Sequence, residues 1–326
     1  MRIAASPEDF VVDEEPLYPA AGEGGHTFVR IEKRLRNTEE IARALARFAG
    51  VRPGDVGYAG RKDRVAVARQ WLSVPALDPE RARGFEGDGF RVLEAVRHPH
   101  KLRTGQLRAN RFELVVRELS PAQVSGAGAA LSALAGRGLP NRFGAQRFGR
   151  DGRNADAARA LLERGEVGGD RRAARFLLSA LQSEVFNACL AARTLPLDAV
   201  EAGEVAYLHG SGGSFVVEDA ASESARAARF ELSAAGPIFG TKLLAATGAP
   251  GRREHEVFAA HGIPEALRLP PGLRLRGARR PFRVQPEAVA CEHVGSDAVR
   301  LAFTLPPGSY ASVLVETLFA APEGQS

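Results

Sequence analysis

The two ends of this chain are patterned as strands, while its middle is patterned as helix. Residues 299–305 alternate apolar and polar, with Val299, Leu301, Phe303 and Leu305 on one face. Residues 8–33 also read as extended. There Phe10, Val11 and Val12 form a short apolar run, and His26–Ile31 follows a turn rich in glycine (Gly22, Gly24, Gly25). From about 152 to 193 the spacing is helical, through Leu161, Leu162, Leu177, Leu181 and Val185. This order predicts an α+β domain made from both chain ends, with a mostly helical domain inserted. The boundaries are set at 1–137 and 284–326 for the first and 138–283 for the second. A length of 326 residues suits two cores better than one.

Local signals fill in this outline. Asn37-Thr38-Glu39-Glu40 resembles a capping box, Ile41, Leu45 and Phe48 follow at helical spacing, and Gly50 is placed to stop the helix. A helix is therefore expected over about 38–49. Ser120-Pro121 opens a second helix, to about Leu134, and Ser309 is expected to cap a last one ending near Phe319. Trp71–Val74 and Phe112–Arg117 read as strands, and 203–218 as a small β element turning at Gly210–Gly213.

Composition excludes several classes. The apolar fraction is 44% and the charged fraction 25%, so disorder is expected only in Pro322–Ser326. Two cysteines, Cys189 and Cys291, make neither a disulfide framework nor a zinc site, and suit a reducing cytoplasm. The first ten residues hold charges and Pro7 but no apolar run, so no signal peptide is expected. No run of about 18 apolar residues occurs, so no membrane span is expected.

The net charge of +5 is modest, but the positive charge is gathered. Residues 97–111 hold five cations, two histidines and no acid. Residues 274–283 hold Arg274, Arg276, Arg279, Arg280 and Arg283 with no acid, and 142–153 hold four arginines against Asp151. Such clusters suit a phosphate backbone, although solvated faces would carry the same composition. Phe112, Phe143, Phe148 and Phe282 lie in or beside them and could stack on bases or fill a core.

The segment Gly57–Trp71 is the most chemically loaded, with Asp63 set between Lys62 and Arg64. A carboxylate among cations is expected to stay ionised and can act as nucleophile or base at a sugar carbon. A loop aspartate in local ion pairs would read the same way, so the string alone is not specific. Its companions add weight. Asn141–Gly149 mixes Gly, Arg, Gln and Phe, Ser179–Asn187 places amides and hydroxyls on a helix, and Leu305–Ser312 delivers Tyr310 to a helix start.

Together these blocks resemble the TruD family of tRNA pseudouridine synthases. The resemblance spans nearly the whole chain: Pro7–Glu14, Gly22–His26, Gly57–Trp71, Asn141–Gly149, Gly236–Gly240 and Leu305–Ala311 match its motifs in order. It implies a pseudouridine-synthase catalytic domain, with a mixed or antiparallel sheet and helices, an inserted α+β domain and a cleft between them. It also implies an isomerase acting on tRNA at position 13, with Asp63 as the catalytic carboxylate. Phe10, Asn110 and Tyr310 stand where the family lines its uridine pocket, and Phe112 where an aromatic closes it. Tyr310 replaces a phenylalanine found in some members. Lys62, Arg64, Lys101, Arg108 and Arg147 are candidate contacts to the RNA backbone.

Turning uridine into pseudouridine breaks the N1–C1′ bond and joins C5 to C1′. No redox change occurs and no group is added, so neither a cofactor nor a metal is expected. The partner expected is tRNA, with no obligate protein partner, and the chain is expected to be a cytoplasmic monomer. Asp63 would attack C1′ or remove the C2′ proton. A non-catalytic RNA-binding protein is the alternative, and Asp63 in its Gly60 and Lys62 context argues against it. A glycosidase needs two placed carboxylates, and the motif holds one.

Overall fold

The computed structural model describes residues 1–3, 6–149, 151–166 and 170–320. Arg150 and the Pro322–Ser326 tail lie outside the described residues. The chain divides into two compact units, one holding 1–135 with 286–308 and the other 136–285 with 309–320. Among the described residues, no helix is long and apolar enough to cross a membrane.

The first unit is organised by one mixed sheet. Its strands run in the order Glu287–His293, Val299–Leu305, Leu107–Arg117, Phe10–Pro16, Val67–Pro75, His26–Arg34, Phe90–His98. Phe10–Pro16 and Val67–Pro75 pair in parallel, and the other neighbours are antiparallel. Two-residue strands, Arg2–Ile3 and Gly57–Tyr58, add to Leu107–Arg117 and Val67–Pro75. Strands from both chain ends thus meet on Leu107–Arg117, which pairs Phe112 with Val12 on one side and with Phe303 on the other.

Helix Thr38–Ala49 covers one face of this sheet. Glu40 accepts from the Asn37 main-chain N–H at 3.2 Å and from its amide at 2.9 Å. These bonds hold the Glu40 carboxyl below its usual range. Gly50 ends the helix at φ 73°, a left-handed angle that glycine adopts without a Cβ penalty. The apolar stripe Ile41, Ala42 and Leu45 packs on Val29, Ile31 and Leu72. Each large side chain buried this way contributes about 1.5–3 kcal/mol relative to exposure. Helix Pro121–Arg137 starts as expected from Ser120, whose hydroxyl accepts from Gln123 N while Gln123 Oε1 accepts from Ser120 N.

The second unit is more mixed than its sequence pattern suggests. Helices Asn154–Arg164 and Arg171–Ala191 fill the predicted helical stretch, the first ended by Gly165 at φ 69°. They share a core with an antiparallel sheet ordered Ser214–Val216, Val205–Leu208, Leu232–Ile238, Ala278–Pro281. Leu232–Ile238 is buried along six of its seven residues and built from small ones, so it lacks the alternation that would reveal it. The last helix, Ala311–Phe319, is led by Tyr310 and not capped by Ser309. The Ser309 hydroxyl instead donates to Asn141 Oδ1 at 3.3 Å.

The arginine run 274–283 also differs from expectation, because only part of it is a solvated face. Arg274 and Arg276 are exposed, each following a buried leucine, Leu273 or Leu275. Arg279 pairs with Glu254 at 2.5 Å. The Arg280 guanidinium lies 4.2 Å from the Phe143 ring centre and donates to Asn141 Oδ1 at 2.5 Å. Arg283 is fully buried over Phe230 and donates to Ser233 Oγ, Arg137 O and Ala227 O. Burial pushes both the Arg280 and the Arg283 guanidinium down to about 10. An arginine spent this way is a packing element, not a phosphate ligand.

Candidate active site

In the first unit, alternation puts Phe10, Val12 and Glu14, Asn110 and Phe112, Ala68 and Gln70, and Lys33 on the sheet face covered by helix Thr38–Ala49. The loop carrying Asp63 crosses this face. It begins at Gly57, where an added Cβ would stand 2.1 Å from the Leu102 carbonyl oxygen, so only glycine lets the two backbones approach. It is then held at two further points. Lys62 N donates to Thr38 Oγ1 at 3.0 Å, and Thr38 Oγ1 donates to Gln70 Oε1 at 2.9 Å. Beyond it, Lys33 Nζ donates to the Asp63 carbonyl at 2.7 Å and to the Arg36 carbonyl at 2.8 Å.

Asp63 itself is exposed, and among the described residues its carboxylate makes no ion pair. Its flanking cations are committed elsewhere. Arg64 Nε donates to Leu35 O at 3.2 Å, and Arg61 pairs with Glu39. Lys62 was expected to reach an RNA phosphate, but its ammonium is buried, 2.6 Å from Glu14 Oε2 and 2.7 Å from Asn110 Oδ1. The cation acting on Asp63 from behind is Lys33, which is 1% exposed. Burial pushes its ammonium down to about 8, against the opposing pull of Asp63.

Lys62 also fixes the orientation of Asn110. An ammonium can only donate, so the Asn110 amide must turn its oxygen inward and leave its NH₂ as the group free to meet a ligand. Glu14 completes the brace by accepting from Trp71 N at 3.2 Å. Beside this polar strip Phe10 is half-buried, edge-on to Phe112 at 6.1 Å. Phe112 is buried against Phe303, so it supports Phe10 and presents little surface of its own.

The structure therefore brings Asp63, Lys62, Asn110, Phe10 and Phe112 onto one face. The remaining candidates lie apart from this group or belong to the other unit. Arg108 pairs with Glu15 at 2.5 Å, and Lys101 Nζ donates to Gly54 O at 2.5 Å. Tyr310 and Arg147 belong to the second unit. There Tyr310 meets Phe143 edge-on at 6.1 Å, and Arg147 Nε donates to Ser183 Oγ at 3.2 Å. Sequence reasoning overlooked Glu14, Lys33, Thr38 and Gln70. Lys33 did leave a signal, since it falls in step with Val29 and Ile31 where an apolar residue belongs.

An exposed carboxylate on a pinned loop, beside an oriented amide and an aromatic ring, has the parts needed to hold a planar base and act on its sugar. The sequence matches the family described as "TruD: tRNA pseudouridine synthase D (TruD)" over residues 1–168 and 169–318. A tRNA pseudouridine synthase D from Anaeromyxobacter sp. is 44% identical, covering 97% of this chain and 91% of that protein. One from Thermus thermophilus is 41% identical, covering 96% and 87%. The crystal structure of the putative tRNA pseudouridine synthase D from Methanosarcina mazei superposes with a TM-score of 0.73. That pair shares 20% identity over 98% of this chain and 93% of the other, which makes it evidence of shared fold. The chain belongs to the tRNA pseudouridine synthase D family.

Proposed function

We propose that this protein isomerises uridine to pseudouridine in tRNA, at position 13, with Asp63 as the catalytic carboxylate. The observation that carries this reading is the pinned loop. Lys33 holds Asp63 by its main chain, while the Asp63 carboxylate stays exposed. The target uridine leaves its stack. Phe10 stacks on the uracil, and the Asn110 NH₂ donates to a uracil carbonyl. Asp63 then attacks C1′ and displaces the uracil at N1, or takes the C2′ proton as N1 departs to give a glycal. The base turns and C5 bonds to C1′, which frees Asp63 from C1′ or returns the proton to C2′. The C5 proton is then lost, and N1 is left carrying a proton.

Residues 1–137 with 284–326 serve as the catalytic domain, and 138–283 as the inserted domain that supplies further tRNA contacts. Tyr310 and Arg147 act in tRNA binding, as do Arg64, Lys101 and Arg108. The protein works as a cytoplasmic monomer on tRNA. Mapping pseudouridine in tRNA from cells with and without the gene tests the reaction and its position. Asp63→Asn should abolish conversion, and conversion at the wild-type rate would end the assignment. A primary isotope effect from deuterium at C2′ selects the glycal route.

A further inference from the structure

A second concavity opens on the opposite face of the same sheet. His26 and Phe28 alternate away from Val29, Ile31 and Lys33 along strand His26–Arg34. Seven residues of strand separate His26 from Lys33, roughly 23 Å at about 3.3 Å per residue. The cavity there measures about 780 Å³, and no aspartate or glutamate lines it. Tyr18, His26, His98, His100, Lys101 and Arg103 contribute to its wall.

The Gly22–His26 motif, which the reaction leaves unexplained, builds one side of this wall. Gly24 has φ +113°, and a Cβ there would stand 2.4 Å from Pro99 Cα. Only glycine allows this turn to lie against Pro99, where Gly22 N also donates to Arg97 O at 3.0 Å. His98 stacks on Phe28 with ring centres 4.0 Å apart. His98 Nδ1 lies 3.1 Å from both the main-chain N and the main-chain O of His100, so this turn fixes where the ring sits. His26 Nδ1 is buried with no hydrogen-bond partner among the described residues. Arg103 is exposed and makes no ion pair among the described residues, whereas Arg97, Arg108 and Arg111 pair with Asp78, Glu15 and Glu113. Burial first, and then the nearby Lys101, His98 and His100, hold the His26 imidazole below its usual range.

We propose that this cavity is a second RNA contact, taking a backbone phosphate on Arg103, Lys101 and His100 and a neighbouring base on the exposed ring of Tyr18. It rests on the reading that the substrate is RNA. It adds a site remote from Asp63, on the other face of the sheet, so that one RNA is gripped at two places.

The test uses the full-length protein, a labelled tRNA transcript and a salt titration of binding. Arg103→Glu should weaken binding about tenfold and lower the salt slope by about one, the signature of a lost phosphate contact. Tyr18→Ala should weaken binding with the slope unchanged. Imidazole NMR signals of His98 and His100 should move with tRNA and far less with inorganic phosphate. Unchanged affinity and slope in Arg103→Glu would overturn the proposal. So would imidazole shifts given by inorganic phosphate alone with tRNA binding unaffected, which would make the site one for a free anion. Wild-type conversion of the same transcript separates the two readings. Lost variant binding without wild-type conversion sinks the proposed reaction and leaves the site. Full conversion with unaltered variant binding does the reverse.

Discussion

Lys33 grips Asp63 by its main chain, donating a buried ammonium to the Asp63 carbonyl at 2.7 Å while the carboxylate faces solvent. The residue that acts on the sugar in the proposed reaction is therefore located by a partner that need not touch the substrate.

The folded Lys33 ammonium titrates near 8, below its ordinary value of 10.5. Above pH 8 the native state gives up this proton while the unfolded chain keeps it. Stability from this group must therefore rise with pH between about 8 and 10.5 and stay flat below. Urea unfolding across that range should show the rise in wild type and lose it in Lys33→Met. The same variant should lose at least tenfold in kcat, because the Arg36 and Asp63 carbonyls lose their donor and the Asp63 loop loosens.

Lys62 and Glu14 form a buried pair, and removing one partner strands the other. Lys62→Met should cost about 3–5 kcal/mol in urea unfolding. Adding Glu14→Leu should recover most of that stability, since the stranded charge is then gone. Pseudouridine formation should stay low in the double variant, because Asn110 no longer has a donor to set its amide.

The arginines of 274–283 should separate into two kinds. Arg283→Met removes a buried guanidinium that donates to Ser233 Oγ, Arg137 O and Ala227 O and should destabilise the protein by about 3 kcal/mol, with the salt slope of tRNA binding unchanged. Arg274→Ala and Arg276→Ala should leave thermal unfolding in place and lower that slope by about one each. A slope change in Arg283→Met without destabilisation would contradict this division.

Gly57→Ala should shift the Leu102 backbone and destabilise the first unit by several kcal/mol, since its Cβ would overlap the Leu102 carbonyl. Thermal melting reads the loss directly. An unchanged melting temperature would show that the two segments can part.

What was legible in the sequence follows the range of the interactions involved. Asn37, Glu40 and Gly50 mark a helix through bonds made within four residues, so its bounds at Thr38 and Ala49 could be read directly. Val299–Leu305 alternates because Val299, Leu301, Phe303 and Leu305 are buried while Arg300 is exposed and Ala302 half-buried between them. Glu14 and Gln70 carry no such local mark, and Lys33 shows only that it falls in step with Val29 and Ile31. They become partners of the Asp63 loop because three strands that are distant in sequence lie side by side. Lys62 shows the same limit from the other side. Its neighbours in the chain suggested a phosphate contact, and its neighbours in space turned it inward.

The central strand Leu107–Arg117 is made well before its partner Val299–Leu305. At ribosomal speed, that edge waits for about 180 residues, some ten to forty seconds, with its amides and carbonyls unpaired. During that interval the nascent chain exposes a strand able to pair with any passing copy of itself. The speed of elongation between the two strands therefore sets how long that edge stays open.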